Sequence, residues 1–67
     1  MEKIGQFKVY RGDYYMVITR TFRYLESEVN DTERQNSDIQ SEIEWLTNKD
    51  APWRGGYDSA VFVGWLE

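Results

Sequence analysis

Residues 6–19 read QFKVYRGDYYMVIT, and the way this stretch folds back on itself decides the architecture. With Gly12 and Asp13 at the centre of a two-residue turn, Arg11 faces Tyr14, Tyr10 faces Tyr15, Val9 faces Met16, Lys8 faces Val17, Phe7 faces Ile18 and Gln6 faces Thr19. One face of the hairpin then collects Phe7, Val9, Met16 and Ile18, and the other Gln6, Lys8, Tyr10, Tyr15, Val17 and Thr19. A slip of one residue would mix the two sets, so the pattern specifies the register. Glycine at the first central position suits a type II′ turn, in which that residue takes a positive φ. Arg11-Gly12-Asp13 is also a known adhesion tripeptide, but three residues match by chance often and no secretion signal accompanies them. It is read here as a turn.

Downstream of the hairpin, apolar or small residues recur at alternating intervals of three and four from Phe22 through Leu25, Val29, Thr32, Asn36, Ile39 and Ile43 to Leu46. One helix over that whole span would reach roughly 40 Å, too long for so small a domain, and its flanking glutamates would repel in a parallel coil. The break is expected at Gln35-Asn36-Ser37-Asp38. Ser37 with Gln40 makes a capping box, and Ile39, Ile43 and Leu46 form one apolar stripe. This predicts a helix over about 37–48, ended by Asn48 and Pro52. The second strand is expected to run on to about Leu25, followed by an acidic connection; a short helix over 22–34 is the rival reading. Residues 49–56, rich in Pro and Gly, read as a loop, and Tyr57 to Leu66 as a last strand. That strand is apolar on both faces at Ala60-Val61-Phe62-Val63, as expected of a strand covered twice or carrying an interface. The fold class is α+β: one ββαβ domain over residues 1–67, with an antiparallel hairpin, a C-terminal strand and one helix packed on the sheet.

Sixty-seven residues bury only about 60% of the surface that the unfolded chain exposes. Three Trp, five Tyr and three Phe supply the large side chains for that core. There is no Cys and no His, which removes disulfides, the commonest zinc ligands and the commonest general base. No phosphate-binding glycine motif or nucleophile elbow is present. We therefore expect no enzyme, no metal and no cofactor. No run approaches the roughly 18 apolar residues of a membrane span, and the alternating pattern begins almost at Met1, so a soluble cytoplasmic protein is expected.

The net charge of −4 is unevenly divided. Residues 1–25 hold five cations and two anions, residues 26–67 three cations and ten anions. This asymmetry frames two functional expectations. The leading one is a small acidic protein-binding module, of the kind that phages and mobile elements encode as inhibitors or regulators of host proteins. Its contacts would be Trp45, Trp53, Arg54 and Tyr57, with Glu42 and Glu44 steering a basic partner. The wider acidic set of Glu26, Glu28, Asp31, Glu33, Asp38, Glu42 and Glu44 could imitate a phosphate backbone, although a solvated helix face explains it more simply. The alternative is a single-stranded nucleic-acid platform on the hairpin, with Tyr10 and Tyr15 stacking bases and Lys8, Arg11, Arg20 and Arg23 meeting phosphates. The acidic pI speaks against it. Self-association through the last strand is a further expectation.

Overall fold

Alternation along the hairpin and a 3.6-residue stripe along the helix give a three-stranded antiparallel sheet with one helix on one face. The computed structural model describes every residue except Ala51, Pro52, Arg54 and Glu67. Strand β1 (Glu2–Arg11) turns at Gly12-Asp13 into β2 (Tyr14–Arg23). A 3₁₀ turn (Glu26–Glu28) leads into α1 (Thr32–Leu46), and β3 (Ser59–Leu66) closes the sheet. The strand order is β2-β1-β3, so α1 carries the chain from one edge of the sheet to the other.

The hairpin register is the expected one at every pair from Arg11–Tyr14 to Gln6–Thr19, and it continues to Glu2–Arg23. Gly12 has φ +62° and Asp13 does not share the positive φ, as a type II′ turn requires. On the helix side, Phe7, Val9, Leu46 and Ala60 form the buried core, with Ile18, Phe22, Ile39, Ile43, Tyr57 and Phe62 packed around it. The rings continue the core along the sheet: Phe7–Phe62, Phe62–Trp65 and Phe22–Trp65 have centroids 5.3, 5.1 and 5.6 Å apart. Gly5 makes room for them, since a Cβ there would lie 3.1 Å from the Phe22 ring and 3.2 Å from that of Phe62.

The helix corrects the sequence reading at its start. It begins at Thr32, so Ser37 lies inside it and the expected capping box does not form. Asp31 supplies the cap instead, its Oδ1 accepting from the Arg34 N–H at 3.2 Å. Gln35 Nε2 donates to the Val29 carbonyl at 2.6 Å, and Arg34 pairs with both Glu28 and Asp38. A break does interrupt the long apolar repeat, but it falls between the end of β2 at Arg23 and Asp31. Fifteen residues of helix, about 22 Å at 1.5 Å each, match the sheet without overhanging it. At its other end α1 stops at Leu46, with the Thr47 N–H donating back to the Ile43 carbonyl. The last strand begins at Ser59, two residues later than expected.

Candidate functional site

Because α1 covers one side of the sheet, alternate residues of each strand meet opposite environments. Cross-strand partners share a face, so the open side can be read from the register. It carries Ile4, Gln6, Lys8 and Tyr10 on β1, Tyr15, Val17, Thr19 and Thr21 on β2, and Val61 and Leu66 on β3. Tyr15 is 58% exposed, Val17 49% and Val61 48%, with Ile4 and Leu66 only slightly less open. Single exposed apolar residues are ordinary; here five share one face, Ile4 with Leu66 at one end and Tyr15, Val17 and Val61 toward the turn, with the Thr19–Gln6–Gly64 row between the two groups. Near the turn end of this face Tyr10 and Tyr15 pair across the hairpin with ring centroids 6.0 Å apart, and Lys8 Nζ sits 4.1 Å from the Tyr15 centroid and 5.5 Å from that of Tyr10. The ammonium is held over the ring faces by the cation–π attraction.

The basic residues expected beside these tyrosines are not gathered there. Arg20 lies opposite Gly5 on the helix side and its Nε donates to Glu42 Oε1 at 2.8 Å, tying β2 to α1. Arg11 stacks on Tyr57 at 4.6 Å and donates to the Gly55 carbonyl. Arg23 is on the open face but at its far end, 3.3 Å from Glu2. Of the six residues expected to form a nucleic-acid platform, Lys8, Tyr10 and Tyr15 come together; Arg11, Arg20 and Arg23 do not join them.

The residues expected to bind a protein are likewise divided. Trp53 is 80% exposed and Trp45 about half as much, whereas Tyr57 is half-buried beneath Arg11. Arg54 lies outside the described residues. Glu42 is engaged with Arg20, and Glu44 stays exposed. The wider acidic segment is largely used inside the fold: Glu28 and Asp38 hold Arg34, and Asp31 caps the helix. Among the described residues, Glu26, Glu33 and Glu44 make no ion pair.

The tripeptide at the hairpin tip is built into the protein as well. The Gly12 N–H donates to Asp58 Oδ2 at 2.8 Å, and the other oxygen of that carboxylate takes Lys49. The Gly12 hydrogen bond, together with Lys49, holds the Asp58 carboxyl below its usual pKa. A cavity of about 120 Å³ beside this turn is lined by Val9, Arg11, Tyr14, Tyr15, Met16 and Tyr57, well short of the roughly 300–1,000 Å³ of sites that enclose small molecules. Among the described residues no group of three or more Asp, Glu, His or Cys is placed to hold a metal, and no helix is long and apolar enough to cross a membrane.

Sequence reasoning did not assemble the open face. It placed Lys8, Tyr10, Tyr15 and Val17 there and noted the second apolar face of the last strand, but left out Ile4 and Leu66. The signal for Ile4 was parity, since it falls on the same side of β1 as Lys8 and Tyr10. Leu66 required the β1–β3 register, which depends on a bulge.

These features define a small α+β domain with a helix on one side of its sheet and an open face of mixed apolar and polar residues on the other. No protein family, curated protein or solved structure matches the chain.

Proposed function

We propose that this is a non-enzymatic protein-binding module that uses the open face of its sheet, with Trp53 as a second exposed anchor. One observation carries the reading. Ile4, Tyr15, Val17, Val61 and Leu66 lie on one side of a three-stranded sheet and at least two-fifths of each is left in water. In so small a domain, apolar surface left uncovered by the helix is stabilising only when a partner covers it. The tyrosine pair suits such an interface, since Tyr supplies large contact area with few rotatable bonds and keeps a polar tip at the rim. The exposed Glu44 and Glu33 are available to steer a basic partner, a role in which regulators and inhibitors of host proteins use acidic surfaces.

The test is recovery of a partner from cell lysate with the wild type, with Val61→Lys and with Trp53→Ala. A specific partner retained by the wild type and lost with Val61→Lys is the expected result. Failure to retain any specific partner, or equal recovery with both variants, would overturn the reading.

A second reading is favoured by Lys8 poised over the Tyr10–Tyr15 pair, the arrangement that single-stranded nucleic acids use for stacking. Among the described residues Lys8 is the one cation over those rings, too few for strong phosphate contact. Anisotropy of labelled single-stranded DNA and RNA at two salt concentrations separates the readings: salt-sensitive binding lost in Tyr15→Ala would favour nucleic acid.

A further inference from the structure

The two edges of the sheet are built differently. β3 pairs with β1 through a bulge, in which Gln6 faces Gly64 while Phe7 faces Phe62 and Val63 is the extra residue. Bulges are a common protection of an edge against pairing with another chain. β2 has no such protection. It is ten residues long and its pairing with β1 is uninterrupted. It contains neither Pro nor Gly, and its first six residues, Tyr14 to Thr19, carry no charge. A long, uninterrupted edge whose first six residues are uncharged and mostly aromatic or β-branched is a template for another strand.

We propose that β2 pairs antiparallel with β2 of a second copy across a two-fold axis at Ile18, giving a six-stranded sheet with both helices on one side. The register follows from backbone geometry and charge. In a two-residue hairpin the residues flanking the turn form a hydrogen-bonded pair, so Tyr14, Met16, Ile18, Arg20 and Phe22 direct their N–H and C=O groups toward β1. Tyr15, Val17, Thr19 and Thr21 direct theirs outward. In keeping with this, the Thr19 carbonyl accepts from Arg20 Nη1 at 3.1 Å, a contact that a partner strand's N–H can share or replace. Outward groups must meet outward groups, so the axis passes through a single residue.

Two centres, Ile18 and Thr19, each keep nine of the ten residues of the strand paired. An axis at Thr19 leaves Arg23 opposite Tyr15. An axis at Ile18 sets Arg23 opposite Asp13, twice. Asp13 is exposed and makes no ion pair among the described residues; Arg23 lies 3.3 Å from Glu2 of its own copy, but its side chain is 85% exposed and open to a second carboxylate. The same register sets Met16 against Arg20 and Tyr14 against Phe22. This places a neighbour beside Tyr14 and Met16, helix-side residues that α1 leaves 65% and 49% exposed. Such an isologous contact uses one surface twice, as two-fold dimers do. The inference stands on the edge alone and does not depend on what binds the open face.

Sedimentation equilibrium over a concentration series is the test, with wild type, Asp13→Arg, Arg23→Asp and the double exchange. The wild type is expected to reach twice the 8.0 kDa monomer mass. Each single exchange sets like charges face to face at both ends and should weaken the dimer about tenfold or more; the double exchange should restore it. Amide exchange by NMR gives an independent readout in the wild type: with rising concentration Tyr15, Val17, Thr19 and Thr21 should gain protection, and Ala60 and Phe62, whose N–H groups point away from β1 on the other edge, should not. Far-UV circular dichroism confirms that each variant is folded. A wild type that stays monomeric at millimolar concentration, dimers indifferent to both single exchanges, or protection gained on β3 instead of β2 would overturn the proposal.

Discussion

The two faces of this sheet share strands, backbone hydrogen bonds and β-forming residues, and they differ in what lies over them. Phe7 and Val9 are closed off completely beneath α1 and its neighbours, whereas Lys8 and Tyr10, one residue further along the same strand, look onto an uncovered surface. The apolar residues of β3 make the point most sharply: Ala60 is buried while Val61 beside it is half exposed. Hydrophobicity along a strand therefore says that a surface is available for burial, and the placement of the helix decides which surface folding uses. What is left over is free for a partner.

The comparison breaks most visibly at Phe7. It is fully buried and touches the rings of both Phe22 and Phe62. Phe7→Ala should cost about 3–5 kcal/mol, a large part of the roughly 5–15 kcal/mol that holds a typical domain together. Urea unfolding followed by Trp fluorescence should show a much lower midpoint, or a chain already unfolded in buffer. A loss below about 1 kcal/mol would mean that the helix side is not the core, and the distinction between the faces would fail.

The cover over that core can be loosened from its ends. Tyr24 is buried where β2 gives way to the 3₁₀ turn, and its hydroxyl finds no hydrogen-bond partner among the described residues. Burial, reinforced by the nearby Asp38 carboxylate, pushes its pKa up from 10.0 to about 12. The folded state therefore favours the neutral phenol. Its contribution is intact below pH 10, where the unfolded chain would ionise, and is lost as the pH rises toward 12; a shift of this size corresponds to about 2–3 kcal/mol. Denaturation at pH 8 and pH 11.5 should show this loss in the wild type and a smaller one in Tyr24→Phe, which should be near neutral at pH 8 because it removes an unsatisfied hydroxyl. At the helix start, Asp31→Ala removes the side-chain cap and should cost about 1 kcal/mol in the same assay. A negligible cost would indicate that Arg34 and Gln35 suffice to begin the helix.

These residues also mark where the sequence was legible. The hairpin could be read pair by pair because a period of two, one glycine needing a positive φ and a separation of polar from apolar residues all agreed. Ile39, Ile43 and Leu46 were legible as a stripe for the same kind of reason. The helix start was not, because Ser37-x-x-Gln40 is a good local cap and its competitor at Asp31 gains from contacts several residues away, with Glu28 and Val29 in the 3₁₀ turn and its exit. For the candidate site, Lys8, Tyr10 and Tyr15 followed from parity in the hairpin. Arg20 and Arg11 could not be assigned, because their partners Glu42, Tyr57 and Gly55 are far away in the chain and lie on the other side of the sheet. Charge asymmetry between the two halves of the sequence was thus partly an internal pairing of β2 with α1.

The smallest expected effect is the most discriminating. Val61→Thr keeps the branched shape that a strand favours and changes only the polarity of a half-exposed side chain. If the open face is uncovered in the free protein, stability should change by less than about 0.5 kcal/mol, against several for Phe7→Ala. The measurement also separates two ways for copies to associate. Pairing through β2 leaves Val61, on the opposite edge, in water, so its substitution should not respond to protein concentration. Open faces packed together in a sandwich would bury it, and the cost of Val61→Thr would then grow as the concentration rises. A dimer with Val61 energetically silent assigns the contact to the β2 edge and leaves the open face free for a different partner.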